Sequence, residues 1–127
     1  MSPPAATLDY YTDNGSLPPP HRRSVRATLG ADGRLVVTRK RGYNGDGDSK
    51  ERFLSPEVIA AVMRDLRALG LFSREWAEPA RTTVGGGLHR LRVTVGDEHA
   101  EIPSFVRSEQ ADAKRAILEC VRSAFAL

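Results

Sequence analysis

Apolar residues in this chain recur at two different periods, and the switch between them outlines the fold. Val25, Ala27 and Leu29 alternate with Arg26 and Thr28, and after a turn Leu35 and Val37 alternate with Val36 and Thr38. A period of two is that of strands with one buried face, here joined as a hairpin. A three-residue loop at Ala31-Asp32-Gly33, with Gly33 left-handed, sets Leu29 opposite Leu35 and Ala27 opposite Val37. A two-residue loop would instead set Leu29 opposite Val36 and split the apolar faces. The same period returns at His89, Leu91, Val93 and Val95, where a two-residue turn at Gly96-Asp97 pairs Val93 with Ala100 and Leu91 with Ile102. Arg92 then meets Glu101 on the outer face, and Pro103 closes the strand.

Between and after these hairpins the period becomes helical. Ser55-Pro56-Glu57 supplies a hydroxyl N-cap, a proline where a missing donor costs nothing and an acid in the first turn. Ile59, Val62, Leu66 and Leu69 form the apolar stripe of the helix that follows, Gly70 ends it, and Leu71 folds back on its last turn. A second helix begins at Ser108-Glu109 and carries Ile117, Val121, Ala124 and Phe125 on one face. Thr7 to Thr12 has moderate strand propensity, and Lys50 to Leu54 reads as a further short strand. The turn-rich stretch 42–49 and the stretch 73–87 read as loops. The pattern predicts a disordered tail over residues 1–6 and a single α+β domain over 7–127. Its expected architecture is an antiparallel sheet of four or more strands, two hairpins among them, with two helices packed on one face.

Composition agrees with a folded domain. Of 127 residues, 40% are hydrophobic and 28% charged, far from the charge-dominated balance of disorder. No run approaches the ~20 apolar residues of a membrane helix. The first residues have neither a basic nor an apolar signal region, so the expectation is a cytoplasmic protein with no membrane partner. Cys120, the single cysteine, cannot form an internal disulfide. The net charge of +3 could suggest an anionic partner, but 16 of the 19 basic residues are arginine in a chain also rich in Ala, Gly and Pro. That bias is expected of a GC-rich coding sequence without any nucleic acid.

Motifs for catalysis and metal binding fail on spacing. Asn44, Asp46 and Asp48 imitate the start of a calcium loop, but Ser49 and Ser55 occupy the positions of its glycine and its bidentate glutamate. His89 and His99 fall on opposite faces of their hairpin, so they cannot share a zinc ion. There is no Gly-x-Ser-x-Gly elbow, and Cys120 lies beside an apolar stripe. Gly85-Gly86-Gly87 precedes a strand and no Walker lysine follows it. The expectation is a non-enzymatic protein with no cofactor and no metal.

Three places remain as binding candidates. Arg39-Lys40-Arg41, within the basic stretch 22–52, is the best nucleic-acid or anion candidate, against the alternative of solvated edge-strand charge. Trp76, following Leu71-Phe72, either closes the core or anchors a partner. Asn14-Gly15-Ser16-Leu17-Pro18 leads into Pro19 and Pro20, and three successive prolines stiffen the loop before binding. Leu17 has no amphipathic period to bury it, and Tyr10 and Tyr11 lie near enough in sequence to flank it.

The element order, with Ala68-Leu69-Gly70-Leu71-Phe72 ending the central helix before a hairpin and a final amphipathic helix, resembles the emfourin-like bacterial inhibitors of protealysin-type metalloproteases. The resemblance covers most of residues 8 to 125 and rests on pattern. The chain differs from that family in the Ser16 to Pro20 loop, the basic first hairpin and the Gly42 to Ser49 insertion, and no inhibitory residue is carried over. It implies a protein-binding module whose partner is a protease. The alternative is a nucleic-acid or anion binder acting through residues 22–52, with nucleic acid the less favoured partner.

Overall fold

A computed structural model describes residues 5–15, 17–18, 21–42, 47–79 and 87–127. Six strands form one antiparallel sheet: β1 (Ala6–Asp13), β2 (Arg23–Leu29), β3 (Arg34–Arg41), β4 (Gly47–Phe53), β5 (His89–Val95) and β6 (Glu98–Ile102). Helix α1 (Pro56–Ala68) lies between β4 and β5 in sequence, and α2 (Ala111–Phe125) follows a 3-10 turn at Ser108–Gln110. The spatial order is β4-β3-β2-β1-β5-β6, so the chain meanders from β1 to one edge, crosses by α1, and lays the second hairpin on the free side of β1. This is the α+β architecture expected, with two strands more than the minimum.

Both hairpin registers are as the sequence predicts. Leu29 pairs with Leu35 and Ala27 with Val37; Val93 pairs with Ala100, Leu91 with Ile102 and Arg92 with Glu101. Gly33 is buried with φ 87°, and a Cβ there would stand 2.8 Å from the Leu54 carbonyl, so only glycine closes this loop without strain.

β1 starts at Ala6, within the stretch read as tail, and Ala6 is buried. The strand occupies the middle of the sheet, where Leu8 pairs with Leu29 on one side and Val93 on the other. Tyr10, paired with Ala27 and Leu91, is fully buried and belongs to the core, so it does not flank Leu17. β4 runs from Gly47 to Phe53, longer than the expected 50–54 strand, and every residue in it is exposed.

Helix α1 starts as predicted: the Ser55 hydroxyl accepts the Val58 N–H and Pro56 opens the first turn. It ends in a Schellman arrangement, with Gly70 N–H donating to Arg67 O and Leu71 N–H to Leu66 O, and Leu71 is fully buried. The buried stripe is Val62, Met63 and Leu66. Leu69 sits at the C-cap and is exposed, because Leu71, two residues further on and past the helix end, takes the place in the core. On α2 the buried positions are Lys114, Ile117, Leu118, Val121 and Phe125, while Ala124 is exposed, one step around the helix from the stripe. The buried apolar side chains of both helices join the inward residues of β1, β2, β3, β5 and β6 in one core.

Candidate functional site

The turn after β1 is organised by a buried carboxylate. Asp13 Oδ1 accepts the N–H groups of Gly15 (2.9 Å) and Leu88 (3.1 Å), and Oδ2 accepts the Tyr11 hydroxyl (2.8 Å) and Arg22 Nη2 (3.1 Å). Burial alone would raise its pKa. The backbone donors of Leu88 and Gly15, the Tyr11 phenol and the Arg22 charge outweigh that and hold it below the usual carboxylate value. Asn14 fastens the next residues: its Nδ2 donates to His21 O (2.7 Å), its Oδ1 accepts the Arg23 N–H (2.8 Å), and its own N–H reaches Arg23 O (3.2 Å). Pro18 O accepts the N–H groups of His21 and Arg22. Leu17 is 41% exposed and Pro18 is exposed, between residues 13–15 and 21–23 that these bonds hold. Ser16 lies outside the described residues.

Tyr11 does not flank Leu17 as a free aromatic. Its hydroxyl is bound by Asp13 and its ring carries Arg90 at 5.0 Å, on the sheet face away from the helices. That face is a lattice of internal pairs. Arg26 binds Asp9 through two nitrogens, Arg34 binds Glu51, Arg92 binds Glu101, and Thr94 meets His99. Such exposed pairs contribute little stability each.

Trp76 is placed at the opposite edge of the sheet, sharing a shallow hollow with Phe72, His99 and Ala100. Its indole N–H donates to Leu71 O (3.1 Å), Arg74 covers the ring at 5.4 Å, and the ring packs on the core. The structure therefore does not bring Trp76 to the Asn14–Pro18 loop, because β1 is central while Ala100 belongs to the edge strand β6.

The arginines of the basic stretch are divided between the two faces. Arg26 and Arg34 are paired with acids on the open face. Arg39 Nη2 donates to Ala126 O (3.2 Å) and Arg52 Nη2 to Phe125 O (2.9 Å), so both close the C-terminal end of α2, where the helix dipole favours cations. Lys40 and Arg41 are exposed at the far end of β3, and Lys40 points to the face opposite Arg39. Arg39, Lys40 and Arg41 thus form no single basic surface. The Asn44-Asp46 part of the calcium-like run lies outside the described residues, and no group of three metal-ligating side chains gathers among the described residues.

The feature that the sequence did not flag lies where α2 passes the start of β5. An open cleft of about 610 Å³ is walled by Phe105 and Leu118 and carries His89, Lys114, Arg115 and Arg122. Lys114 is buried, and its Nζ donates to Pro103 O (2.7 Å) and Ser104 O (2.6 Å). Burial lowers its pKa to about 8. His89 Nδ1 meets Thr12 Oγ1 at 2.6 Å; its pKa is lowered by burial and by the charges of Lys114 and Arg122, against a smaller opposing pull from Asp13. Cys120 is half-buried on the same helix, and burial, with the Asp65 charge, pushes its thiol up and away from the reactive thiolate.

No protein-family model and no curated protein matches this chain.

Among the described residues no helix is long and apolar enough to cross a membrane. An apolar hollow of about 350 Å³ under the start of α1, lined by Leu54, Ile59 and Met63, holds only Asp32 and Arg67 as ionisable groups.

Proposed function

We propose that this protein is a non-enzymatic binding module that engages another protein through the Asn14–Pro18 loop. The observation that supports this reading is the exposure of Leu17 on a loop whose base is held by Asp13 and Asn14. A segment tied at Asn14 and His21 before contact loses less entropy on binding than an untethered one, and an exposed apolar side chain between those ties gains from burial in a partner's pocket. The emfourin-like element order makes a thermolysin-class metalloprotease the partner to test. Tyr11 supports the loop from below through Asp13, and Trp76 has no part in it.

The test is inhibition of a thermolysin-class protease by the wild-type chain, by Leu17→Ala and by Leu17→Asp. Inhibition by the wild type that weakens at least tenfold in Leu17→Asp, with an unchanged melting temperature, is the expected result. Undiminished inhibition by Leu17→Asp would remove the loop from the contact. No inhibition by the wild type would remove this protease class as the partner.

A further inference from the structure

The cleft between α2 and the start of β5 holds a buried ammonium with no carboxylate partner among the described residues. Lys114 is 8% exposed, yet it has no carboxylate partner among the described residues; two backbone carbonyls take two of its three N–H bonds. A buried ammonium is ordinarily paired, because leaving it without a counter-charge is costly. Two arginines stand beside it. Arg122 and Arg115 also line the cleft: Arg122 bonds the Tyr10 side chain and pairs with Glu119, which is 69% exposed, and Arg115 pairs with Asp112, which is 96% exposed, so water screens both ion pairs. His89 lines the cleft too, with its pKa held below the usual imidazole value so that it adds no charge near neutrality, and among the described residues no Asp or Glu lines the cleft.

The rest of the wall is apolar. Phe105 and Leu118 face the same space as the cations, so the cleft offers a positive end and a hydrophobic flank together. Inorganic anions would satisfy only the first, and a neutral apolar ligand only the second. A pocket of this mixed kind is the usual form of a small-molecule site, in which a few polar groups orient a largely apolar ligand.

We infer that this cleft binds a small organic carboxylate, its carboxylate accepting from Lys114 and Arg122 and its hydrocarbon body lying against Phe105 and Leu118. Lys114 contributes its third N–H as a point charge. Arg122 contributes a planar donor pair. This site is separate from the Asn14–Pro18 loop and does not depend on the role proposed for it.

The experiment is a titration of the ¹⁵N-labelled chain with sodium hexanoate and, separately, with inorganic phosphate at constant ionic strength, followed at the amides of His89, Val106 and Leu118. Hexanoate should produce saturable shifts with a dissociation constant on the order of 1 mM, and phosphate should bind at least tenfold more weakly. Lys114→Met should weaken hexanoate at least tenfold; if that variant does not fold, Arg122→Gln carries the same expectation. Phe105→Ala should weaken hexanoate and leave acetate unaffected. The inference is overturned by the absence of saturable shifts, by phosphate binding as tightly as hexanoate, or by undiminished binding in the charge variants.

Discussion

Asp13 and Leu88 hold each other by two hydrogen bonds, the Asp13 N–H to Leu88 O at 3.0 Å and the Leu88 N–H to Asp13 Oδ1 at 3.1 Å. They are 75 residues apart in the chain. One residue thus ends the central strand, fixes the approach to β5 and anchors the loop carrying Leu17. Asp13→Asn removes the charge that faces Arg22 and replaces an acceptor with a donor. It should cost about 3 kcal/mol, the usual consequence of stranding one partner of a buried pair, in urea unfolding at pH 7. The sign of the pH effect follows from a folded-state pKa held below the ordinary aspartate value of 3.8. The stabilisation is complete above the unfolded-state pKa and is lost as the pH falls through the folded-state one. The gap between wild type and Asp13→Asn should therefore narrow in strong acid.

Gly87 lies against the same residue. A Cβ at position 87 would stand 2.2 Å from the Asp13 carbonyl oxygen, too close for any rotamer to relieve because both atoms belong to or branch from the main chain. Gly87→Ala should cost roughly 1 to 3 kcal/mol, as overpacking does. It should also broaden the amide resonances of Asn14 and Gly15. An unperturbed spectrum with wild-type stability would show that the two segments do not approach as described.

Leu66 is fully buried where α1 meets the sheet. Leu66→Ala should cost about 2 to 5 kcal/mol, whereas Leu69→Ala, at an exposed C-cap, should cost under about 1 kcal/mol. Denaturant titration of the pair separates the stripe as observed from the stripe as read in sequence, which included both.

Lys114 gives a pH dependence of the same sign as Asp13, but in the alkaline range, and at neutral pH it costs stability where Asp13 adds it. Its pKa falls from 10.5 to about 8 on folding, so between those values the unfolded chain binds the proton more strongly. Stability should rise with pH across that window and be lowest, from this source, below pH 8. Chemical denaturation of wild type and Lys114→Met from pH 7 to pH 10.5 isolates the effect, since other titrating groups are common to both. A difference that does not change with pH would place Lys114 in contact with water.

The hairpins and both helices were legible because each is decided locally. The loop length at Gly33 fixes the register of β2 and β3, and Ser55-Pro56 with Gly70-Leu71 marks both ends of α1. The place of β1 was not. Its alternation of Ala6, Leu8 and Tyr10 with Thr7, Asp9 and Tyr11 is that of any half-buried strand, and nothing local shows that both of its edges are paired. The same holds for the sites. Asn14 and Leu17 were identified as loop residues, but Asp13 depends on Leu88, and no short-range pattern reports a contact of that separation. Arg39 and Arg52 read as free surface charge because the carbonyls they cap belong to residues 126 and 125. Lys114 could have been found: it lies three and four residues before Ile117 and Leu118, on the stripe itself, and a lysine in that register is the anomaly to notice.

The position of β1 between β2 and β5 also governs the order in which the chain can assemble. β1 to β4 can pair as they leave the ribosome, since each follows its neighbour closely in sequence. The second edge of β1 must wait for His89, more than seventy residues later, before Thr12 finds its partner. Until then the nascent sheet presents the open edge of β1, with its row of main-chain donors and acceptors, to any extended segment nearby. Closing so long a loop is slow relative to hairpin formation. Docking of the second hairpin is therefore the step at which this chain is most exposed to mispairing with its own copies, and a chaperone that acts on it would act there.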